Sequence, residues 1–386
     1  MFNDLKVAFE DKSDHDLNRA YFLFKTISNP LISRTLTVFL RFAIYLRLPI
    51  NNIIQATVYK HFCGGLSIEN SQETIDKLWN SRIGTILDFA SEGKKSEDDF
   101  NKAMHETIAS LHKAKTTKKI PFSVFKATGL ARLNLLEKIS SNITLSKKEE
   151  IEKIAFENRI EKICKVSSEN KIPVFIDAEE SWIQDAIDNI ALKMMTKFNK
   201  KKAWIFNTLQ LYRKDRLKYL KNLIINARKN NFFIGLKLVR GAYHEKEIER
   251  AKAMGFPCPV HKTKKNTDTD YNNALEICIK HIDVISICAG THNEESSDKL
   301  IKLLEKHNIS KDDKRIHLSQ LLGMSDNISY IAAKKGLNVA KYVPYGPVKD
   351  VLPYLIRRAE ENTSVAGQMG RELKNIIREK KRRKTS

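Results

Sequence analysis

The chain has 386 residues, 42% of them hydrophobic, and a formal net charge of +22. Its length allows one large barrel with an accessory segment, or two to three ordinary domains, and its hydrophobic content excludes a globally disordered chain. The lysines are spread along the sequence among many isoleucines and asparagines, which favours compositional bias over nucleic-acid binding, since the latter requires clustered basic residues with interleaved aromatics.

The first 80 residues predict an all-helical arm. Asp14 is expected to cap a helix, and Pro30 and Pro49 are expected to break the helical stretch that runs to residue 60. A further helix is predicted over Gln72–Arg82. No motif in this arm indicates a function.

Two features of the sequence bear on its location. The apolar stretch Leu36–Ile50 contains Arg41 and Arg47, which favours an amphipathic or buried helix over a transmembrane span. The polar first residues do not resemble a signal peptide, and the cysteines form no CxxC pair. A reducing, cytoplasmic compartment is therefore expected.

From residue 83 onward, short apolar runs alternate with amphipathic helical stretches. The runs are Ile83–Ala90, Phe122–Thr128, Pro173–Ala178, Trp204–Leu209, Phe233–Val239, Ile282–Ala289, Lys314–Leu318 and Asn338–Val343. Such runs are typical of parallel strands buried on both faces, which require crossover helices. They predict an α/β fold, a distorted (β/α)8 TIM-type barrel over residues 81–375. A doubly wound open sheet is the alternative, disfavoured because no GxGxxG follows the first run.

Polar residues stand where these runs end, which is where a barrel places its active site. They are Asp88, Lys126, Asp177, Gln210, Arg240, Thr291, His292 and Gln320. Asp177 could instead cap a helix, and His292 could be a structural loop residue. No metal-ligand spacing such as HxxxH and no GxSxG motif occurs, so neither a metal nor a nucleophilic serine is expected.

The segment after the last run, Tyr354–Asn362, places two adjacent arginines on a predicted helix. Tyr354, Arg357, Arg358 and Glu361 are three or four residues apart and share one face, where the arginines could bind one carboxylate. The alternative is a solvated face with Arg–Glu pairs. Residues 376–386 are predicted to form a basic tail, frayed and solvated or in contact with anionic lipid headgroups.

Taken in order, these segments resemble the proline dehydrogenase family, in particular its eukaryotic-type branch. The motifs are KLVRGAY (Lys237–Tyr243), YVPYG (Tyr342–Gly346) followed by YLIRRAEEN, IDAEE, QLY, THN, QLLGM and ATG after Lys126. The resemblance implies FAD as cofactor and oxidation of L-proline to Δ1-pyrroline-5-carboxylate by hydride transfer to flavin N5. It also implies a membrane quinone as electron acceptor, and thus peripheral contact with the inner face of the cell membrane, for which the amphipathic region 35–54 would be suited.

The resemblance assigns roles residue by residue. The implied substrate-binding residues are Lys126, Asp177, Leu238, Tyr243, Tyr342, Tyr354, Arg357 and Arg358. The lysine and the arginines would pair with the proline carboxylate, the tyrosines and the leucine would border the ring, and the aspartate would hold the cations in register. The implied cofactor-side residues are Gln210, Lys237, Arg240, Gly241, Ala242, His244, Lys265, Thr267, Thr291, His292, Gln320 and Glu361.

On the cofactor side, Gln210 and Lys237 would face the flavin ring, and Glu361 would fix one of the two arginines. Lys237 stands where one branch of the family has arginine, which keeps the charge but loses the planar fork. His244 stands where that branch has tryptophan.

The sequence is also compatible with other functions. A hydroxyproline dehydrogenase would share these motifs, and a methylenetetrahydrofolate reductase-like flavin barrel would share the fold without requiring the arginine pair. A nucleic-acid-binding protein would need clustered basic residues outside the short tail, and a scaffold protein would not need polar residues at successive strand ends.

Overall fold

A computed structural model describes residues 1–29, 35, 51–90, 95–364 and 368–385; the side chains of residues 51, 53, 358–364, 368 and 369 are not described. The predicted apolar stretch Leu36–Ile50, which includes Pro49, and the preceding Pro30 therefore lie outside the described residues. No helix in the described part of the chain is both long enough and apolar enough to cross a membrane.

The centre of the molecule is a closed barrel of eight parallel strands in chain order, which confirms the predicted fold. The strands are β1 (Ile83–Phe89), β2 (Phe122–Lys126), β3 (Val174–Asp177), β4 (Ile205–Gln210), β5 (Ile234–Val239), β6 (Ile285–Gly290), β7 (Ile316–Leu321) and β8 (Val339–Tyr345). The barrel closes through seven paired positions between β1 and β8, from Ile83 opposite Val339 to Phe89 opposite Tyr345.

Successive side chains of each strand point alternately into the barrel and out towards the helices. Inside, Phe122 stacks on Phe175 at 4.5 Å between ring centroids, and Phe206 packs edge-on against Phe175. This aromatic layer fills the barrel below the strand ends, so that polar residues above it stand on a closed floor. The outward-facing aliphatic side chains form the larger core with the surrounding helices.

Helices surround the barrel and form the arm. They are α1 (Leu5–Ala8), α2 (Asp14–Ile27), α3 (Asn51–Ile54), α4 (Lys60–Phe62), α5 (Gln72–Asn80), α6 (Glu97–Lys115), α7 (Leu133–Ser140), α8 (Lys147–Asn170), α9 (Ser181–Phe198), α10 (Arg216–Asn230), α11 (His244–Met254), α12 (Lys264–Lys280), α13 (Glu294–Lys306), α14 (Asp326–Lys334), α15 (Val348–Ser364) and α16 (Gln368–Lys384). A π-helical turn, Gln55–Tyr59, joins α3 to α4. The predicted helical character of the arm agrees with α1 to α5 wherever the arm is described.

Two local expectations were wrong. Ser13, and not Asp14, caps α2, because its side chain and that of Asp16 form a reciprocal capping box. Residues 378–384 do not form a frayed tail: they belong to α16, whose Arg383 donates a hydrogen bond to Asp14 at 2.9 Å and pairs with Glu379. The division of the chain into residues 1–80, 81–375 and 376–386 stays a prediction.

Candidate active site

Five polar side chains come together in the upper barrel, from β1, β2, β3, β5 and β8. They are Asp88, Lys126, Asp177, Lys237 and Tyr342, and we call them the mouth cluster. The Lys126 ammonium lies 3.2 Å from Asp88 and 3.8 Å from Asp177. The Lys237 ammonium donates to Asp177 Oδ1 and to the Tyr342 hydroxyl, the latter at 2.7 Å. The tyrosine hydroxyl in turn donates to Asp177 at 3.1 Å.

The mouth cluster rests on the aromatic floor. Lys237 lies 4.4 Å from the centroid of the Tyr342 ring and 5.4 Å from that of Phe175, so its charge also faces two π-systems. Burial, together with the nearby carboxylates of Asp177 and Asp88, raises the pKa of Tyr342 well above its ordinary value. The tyrosine therefore stays protonated and can act only as a neutral hydrogen-bonding group at physiological pH.

The charges of the mouth cluster balance, because two lysines stand against two aspartates. An anionic ligand entering the mouth would add a negative charge without a matching cation. Helix α15 lies where such a cation is needed: its Asp350, Pro353 and Tyr354 line one pocket together with Asp88 and Lys126. Arg357 follows Tyr354 by three residues and is partly buried on the same helix.

The structure thus brings five of the predicted substrate residues to one end of the barrel: Lys126, Asp177, Tyr243, Tyr342 and Tyr354. Tyr243 is buried just beyond β5, with Lys246 over its ring. The side chains of Arg358 and Glu361 lie outside the described residues. Leu238 does not line the barrel interior, because it follows the inward-facing Lys237 and points out into the core shared with the helices.

The rim at the end of β5 has no room for a side chain at Gly241. Gly241 has φ +129°, and a Cβ there would lie 2.4 Å from the ring of Tyr212, so packing against Tyr212 excludes a side chain. Gly241 and Ala242 are exposed at this rim, and the Ala242 amide donates to Gln210 Oε1 at 3.4 Å. Gln210 also donates to the carbonyl of Glu179 at 2.6 Å, which joins the ends of β3 and β4.

Arg240 joins the end of β5 to the loop after β6, to α12 and to α13. Its guanidinium donates to Asp268 at 2.6 Å, to Thr291 at 2.6 Å and to Ser296 at 2.8 Å, and it packs on the ring of Tyr271. Burial opposes ionisation of Asp268, but hydrogen bonds from Lys264 and Arg240 outweigh it and lower the pKa of this carboxyl. Arg240 is therefore a fixed cation whose position depends on three neighbouring elements.

The remaining predicted cofactor residues lie on the same rim, but their contacts differ. Gln320 is buried with both ends engaged, because it donates to the Thr291 carbonyl at 3.1 Å and accepts from Ser329 at 2.8 Å. His292 Nδ1 lies 3.0 Å from the Ser325 hydroxyl. His244 and Lys265 are exposed and Thr267 is buried, on α11 and α12.

These residues fit a flat, anionic cofactor at the rim. The exposed pair Gly241–Ala242 leaves room beside β5, and Arg240 supplies a fixed positive charge. Inside, the Thr208 hydroxyl is buried and has no hydrogen-bond partner among the described residues, although a buried hydroxyl ordinarily has one. Thr208 is in register with Lys237 on the inward face, where a bound ring could satisfy it.

Some residues of this site had no assigned role from sequence. Asp88 stands at the end of a predicted strand, but only the fold shows that it pairs with Lys126. Thr208 could have been found from its spacing of two residues before Gln210. Glu179 is buried and accepts from the Thr128 amide at 2.9 Å, and no local pattern signals that contact.

The sequence profile of the family described as proline dehydrogenase matches residues 71–371. "Proline dehydrogenase 1, mitochondrial" of Dictyostelium discoideum is 31% identical over an alignment that covers 98% of this chain and 74% of that protein. The "Carbapenem antibiotics biosynthesis protein CarD" of Pectobacterium carotovorum subsp. carotovorum is 34% identical over 83% of each chain.

Among solved structures, the fold is similar to that of proline utilization A from Bdellovibrio bacteriovorus, with a TM-score of 0.74 at 19% identity. That similarity covers 96% of this chain, which spans 40% of the length of the larger protein. At this identity the likeness shows the fold, whereas the profile and the sequence relatives show the family. The chain belongs to the proline dehydrogenase family.

Proposed function

We propose that the protein oxidises L-proline to Δ1-pyrroline-5-carboxylate with FAD as cofactor. The observation that carries the proposal is the mouth cluster, whose balanced charges lie beside α15, in a chain of this family. Proline is a small zwitterion, and its carboxylate requires a cation that the mouth cluster does not have in excess. Arg357, and Arg358 next to it in sequence, are the proposed partners of that carboxylate.

The residues of the chain would act by placement and electrostatics. Arginine pairs with a carboxylate through two parallel hydrogen bonds, which fixes the orientation of a small ligand as well as its position. Asp177 keeps Lys237 and Lys126 in place and thereby sets the field at the barrel axis. Tyr342 and Tyr354 would border the ring and exclude water from it.

FAD, when bound, would accept the hydride from proline C5 at its N5 position. Gln210, Lys237, Arg240, Gly241, Ala242, Thr291 and His292 are the proposed contacts for it. Gln320 would act through Thr291, since both ends of its side chain are already engaged. Lys265, Thr267 and His244 are proposed for the adenosine half, and Glu361 for holding an arginine.

The electron acceptor and the location belong to the same proposal. We propose a membrane quinone as acceptor, with peripheral contact between a cytoplasmic protein and the inner face of the cell membrane. Vesicle co-sedimentation tests this: binding to anionic vesicles that weakens with salt supports an electrostatic contact, and binding indifferent to salt contradicts it.

The deciding experiment is an absorbance spectrum of the purified protein before and after anaerobic addition of L-proline. A flavin spectrum that bleaches with proline supports cofactor, substrate and direction together. Flavin that bleaches with hydroxyproline but not with proline moves the assignment to hydroxyproline dehydrogenase. Flavin that bleaches with neither favours a methylenetetrahydrofolate reductase-like enzyme, and a colourless protein that FAD cannot reconstitute contradicts the proposal.

A further inference from the structure

Helix α16 contacts the barrel through one buried carboxylate. Glu372 is 4% exposed, and its Oε1 accepts hydrogen bonds from the Ser325 amide at 2.8 Å and from the Ser325 hydroxyl at 3.1 Å. The matched family profile ends at residue 371, so Glu372 lies just beyond it. Arg371 donates to the His292 carbonyl and lies 3.4 Å from Glu294.

Ser325 links this carboxylate to His292 at the end of β6. Its hydroxyl has a single hydrogen, which it can give to Glu372, and it then accepts from Nδ1–H of His292 at 3.0 Å. Burial raises the pKa of Glu372, with the nearby Asp326 charge acting in the same direction, but in its ionised form the carboxylate can only accept that hydrogen. The carboxylate therefore fixes the direction of the hydroxyl, and the hydroxyl fixes the imidazole ring.

The backbone at Ser325 gives independent evidence that this arrangement is imposed. Its φ of +50° and ψ of +44° lie in the left-handed region, which costs about 1 kcal/mol or more for a residue with a side chain. The amide of Ser325 is aimed at Glu372 in this conformation. Two hydrogen bonds to the carboxylate thus hold a strained turn whose side chain supports His292.

A second path reaches the same loop. Ser329, one turn into α14, donates to Gln320, and Gln320 donates to the carbonyl of Thr291. The residues Thr291 and His292 are thereby held from both β7 and α16. Of these two supports, only the one from α16 originates outside the barrel.

We propose that Glu372 is a positioning residue of the cofactor site, acting through Ser325 to orient His292. The inference rests on the proposed binding of FAD at this rim. Through this link the C-terminal helix would belong to the active-site architecture.

Glu379 provides a matched control on the same helix. Its side chain is as buried as that of Glu372, and it accepts from Arg382 and Arg383 at 2.8 Å, on the side of the arm. The test titrates FAD into apoprotein of the full chain and follows flavin fluorescence for the parent, Glu372→Ala and Glu379→Ala. Glu372→Ala is expected to raise the Kd for FAD about tenfold, equivalent to about 1.4 kcal/mol, and Glu379→Ala less than twofold.

The variant Ser325→Gly tests the hydrogen-bonded link between Glu372 and His292 without disturbing the fold. Glycine adopts φ +50° without strain, so this variant should fold although it lacks the hydroxyl between Glu372 and His292. It should raise the Kd for FAD about as much as Glu372→Ala does. When His292 is already replaced by alanine, neither Ser325→Gly nor Glu372→Ala should raise the Kd for FAD any further. Additive effects, or an unchanged Kd in the single variants, would overturn the inference alone. A parent protein that binds no FAD would overturn the proposed function, and this inference with it.

Discussion

Strand β8 separates two buried lysine–aspartate clusters that differ in what surrounds them. Tyr342 points into the barrel and joins the mouth cluster, whereas the preceding residue, Lys341, points out and donates to Asp326 at 2.8 Å. Lys12, from the arm, lies 3.5 Å from the same aspartate. We call Lys12, Asp326 and Lys341 the arm cluster.

The two clusters use the same charges for different purposes. The arm cluster is enclosed around Lys341, which is fully buried and also donates to the carbonyls of Leu321 and Met324. Burial alone would raise the pKa of Asp326, but its ion pairs with Lys341 and Lys12 outweigh burial and hold that pKa well below its ordinary value. The mouth cluster instead borders the pocket that it shares with α15.

Burial and ion pairing therefore do not by themselves identify a site. Each cluster contains a buried lysine, Lys237 or Lys341, that pairs with a buried aspartate, Asp177 or Asp326. What distinguishes them is the direction of the side chain along one strand, because alternation sends neighbouring residues to opposite faces. Stability should depend mainly on the arm cluster, and catalysis on the mouth cluster.

The largest expected effect comes from Lys341→Met. Removing the cation leaves Asp326 buried with a single partner and two carbonyls without their donor, which should lower the free energy of unfolding by about 3–5 kcal/mol. Denaturant unfolding measures this loss. The double variant Lys341→Met with Asp326→Leu should recover part of it, and a loss under about 1 kcal/mol in the single variant would contradict the structural role.

Asp177→Asn tests the other half of the comparison. The amide cannot balance Lys237 and Lys126, so their positions shift, and kcat/KM for proline should fall about a hundredfold, since misplacement of about 1 Å can have that effect. Steady-state kinetics measures the fall. The stability loss should be smaller than for Lys341→Met, because Asp88 still pairs with Lys126 and the Tyr342 ring still faces Lys237. A larger stability loss with normal kinetics would reverse the assignment of the two clusters.

Arg357→Met tests the charge balance at the mouth. The variant should raise KM for proline at least about tenfold, since a charge-assisted pair contributes roughly 1.5–3 kcal/mol. Pyrrolidine lacks the carboxylate, so its turnover should change little, and the ratio of the two substrates isolates the pair. Arg228, exposed and paired with Asp283 at 2.8 Å, provides the control variant Arg228→Met. Equal losses for both substrates would show that Arg357 has a structural role only.

The smallest expected effect is acid destabilisation through His61, beside the arm cluster. Burial lowers its pKa to about 4, with the Lys12 charge acting in the same direction, while Nε2–H donates to Gly323 at 2.9 Å. Between pH 6.5 and 4 the unfolded chain binds the proton and the folded chain does not. The contribution of His61 to the free energy of unfolding should therefore be fully present above pH 6.5. It should fall as the pH approaches 4, by at most about 1.4 kcal/mol per pH unit.

His61→Gln should flatten this dependence in part, measured as unfolding free energy against pH. Only part is expected because burial also lowers the pKa of His317, on the barrel floor, to about 4. An unchanged slope in the variant would contradict the assignment to His61. Neither histidine belongs to the mouth cluster.

The sequence by itself determined the barrel and the position of its active end. The eight strands can be recognised in the sequence because a strand buried on both faces must be nearly continuous in apolar character. The polar residues at the ends of these runs indicate the mouth of the barrel. These are local signals, since they depend on a few consecutive residues. The arginine-bearing helix after β8 could be predicted in the same way, from spacing along one face.

Only the tertiary structure decided which polar residues meet and which face the helices. Leu238 falls outside the barrel because the strand alternates about Lys237, and a motif does not carry that phase. The contact of Glu372 with Ser325 spans 47 residues, and that of Arg383 with Asp14 spans 369. Hydrogen bonds and ion pairs between residues so far apart in the sequence arise from the packing of whole helices and strands. A local sequence pattern therefore cannot predict which two residues will be partners.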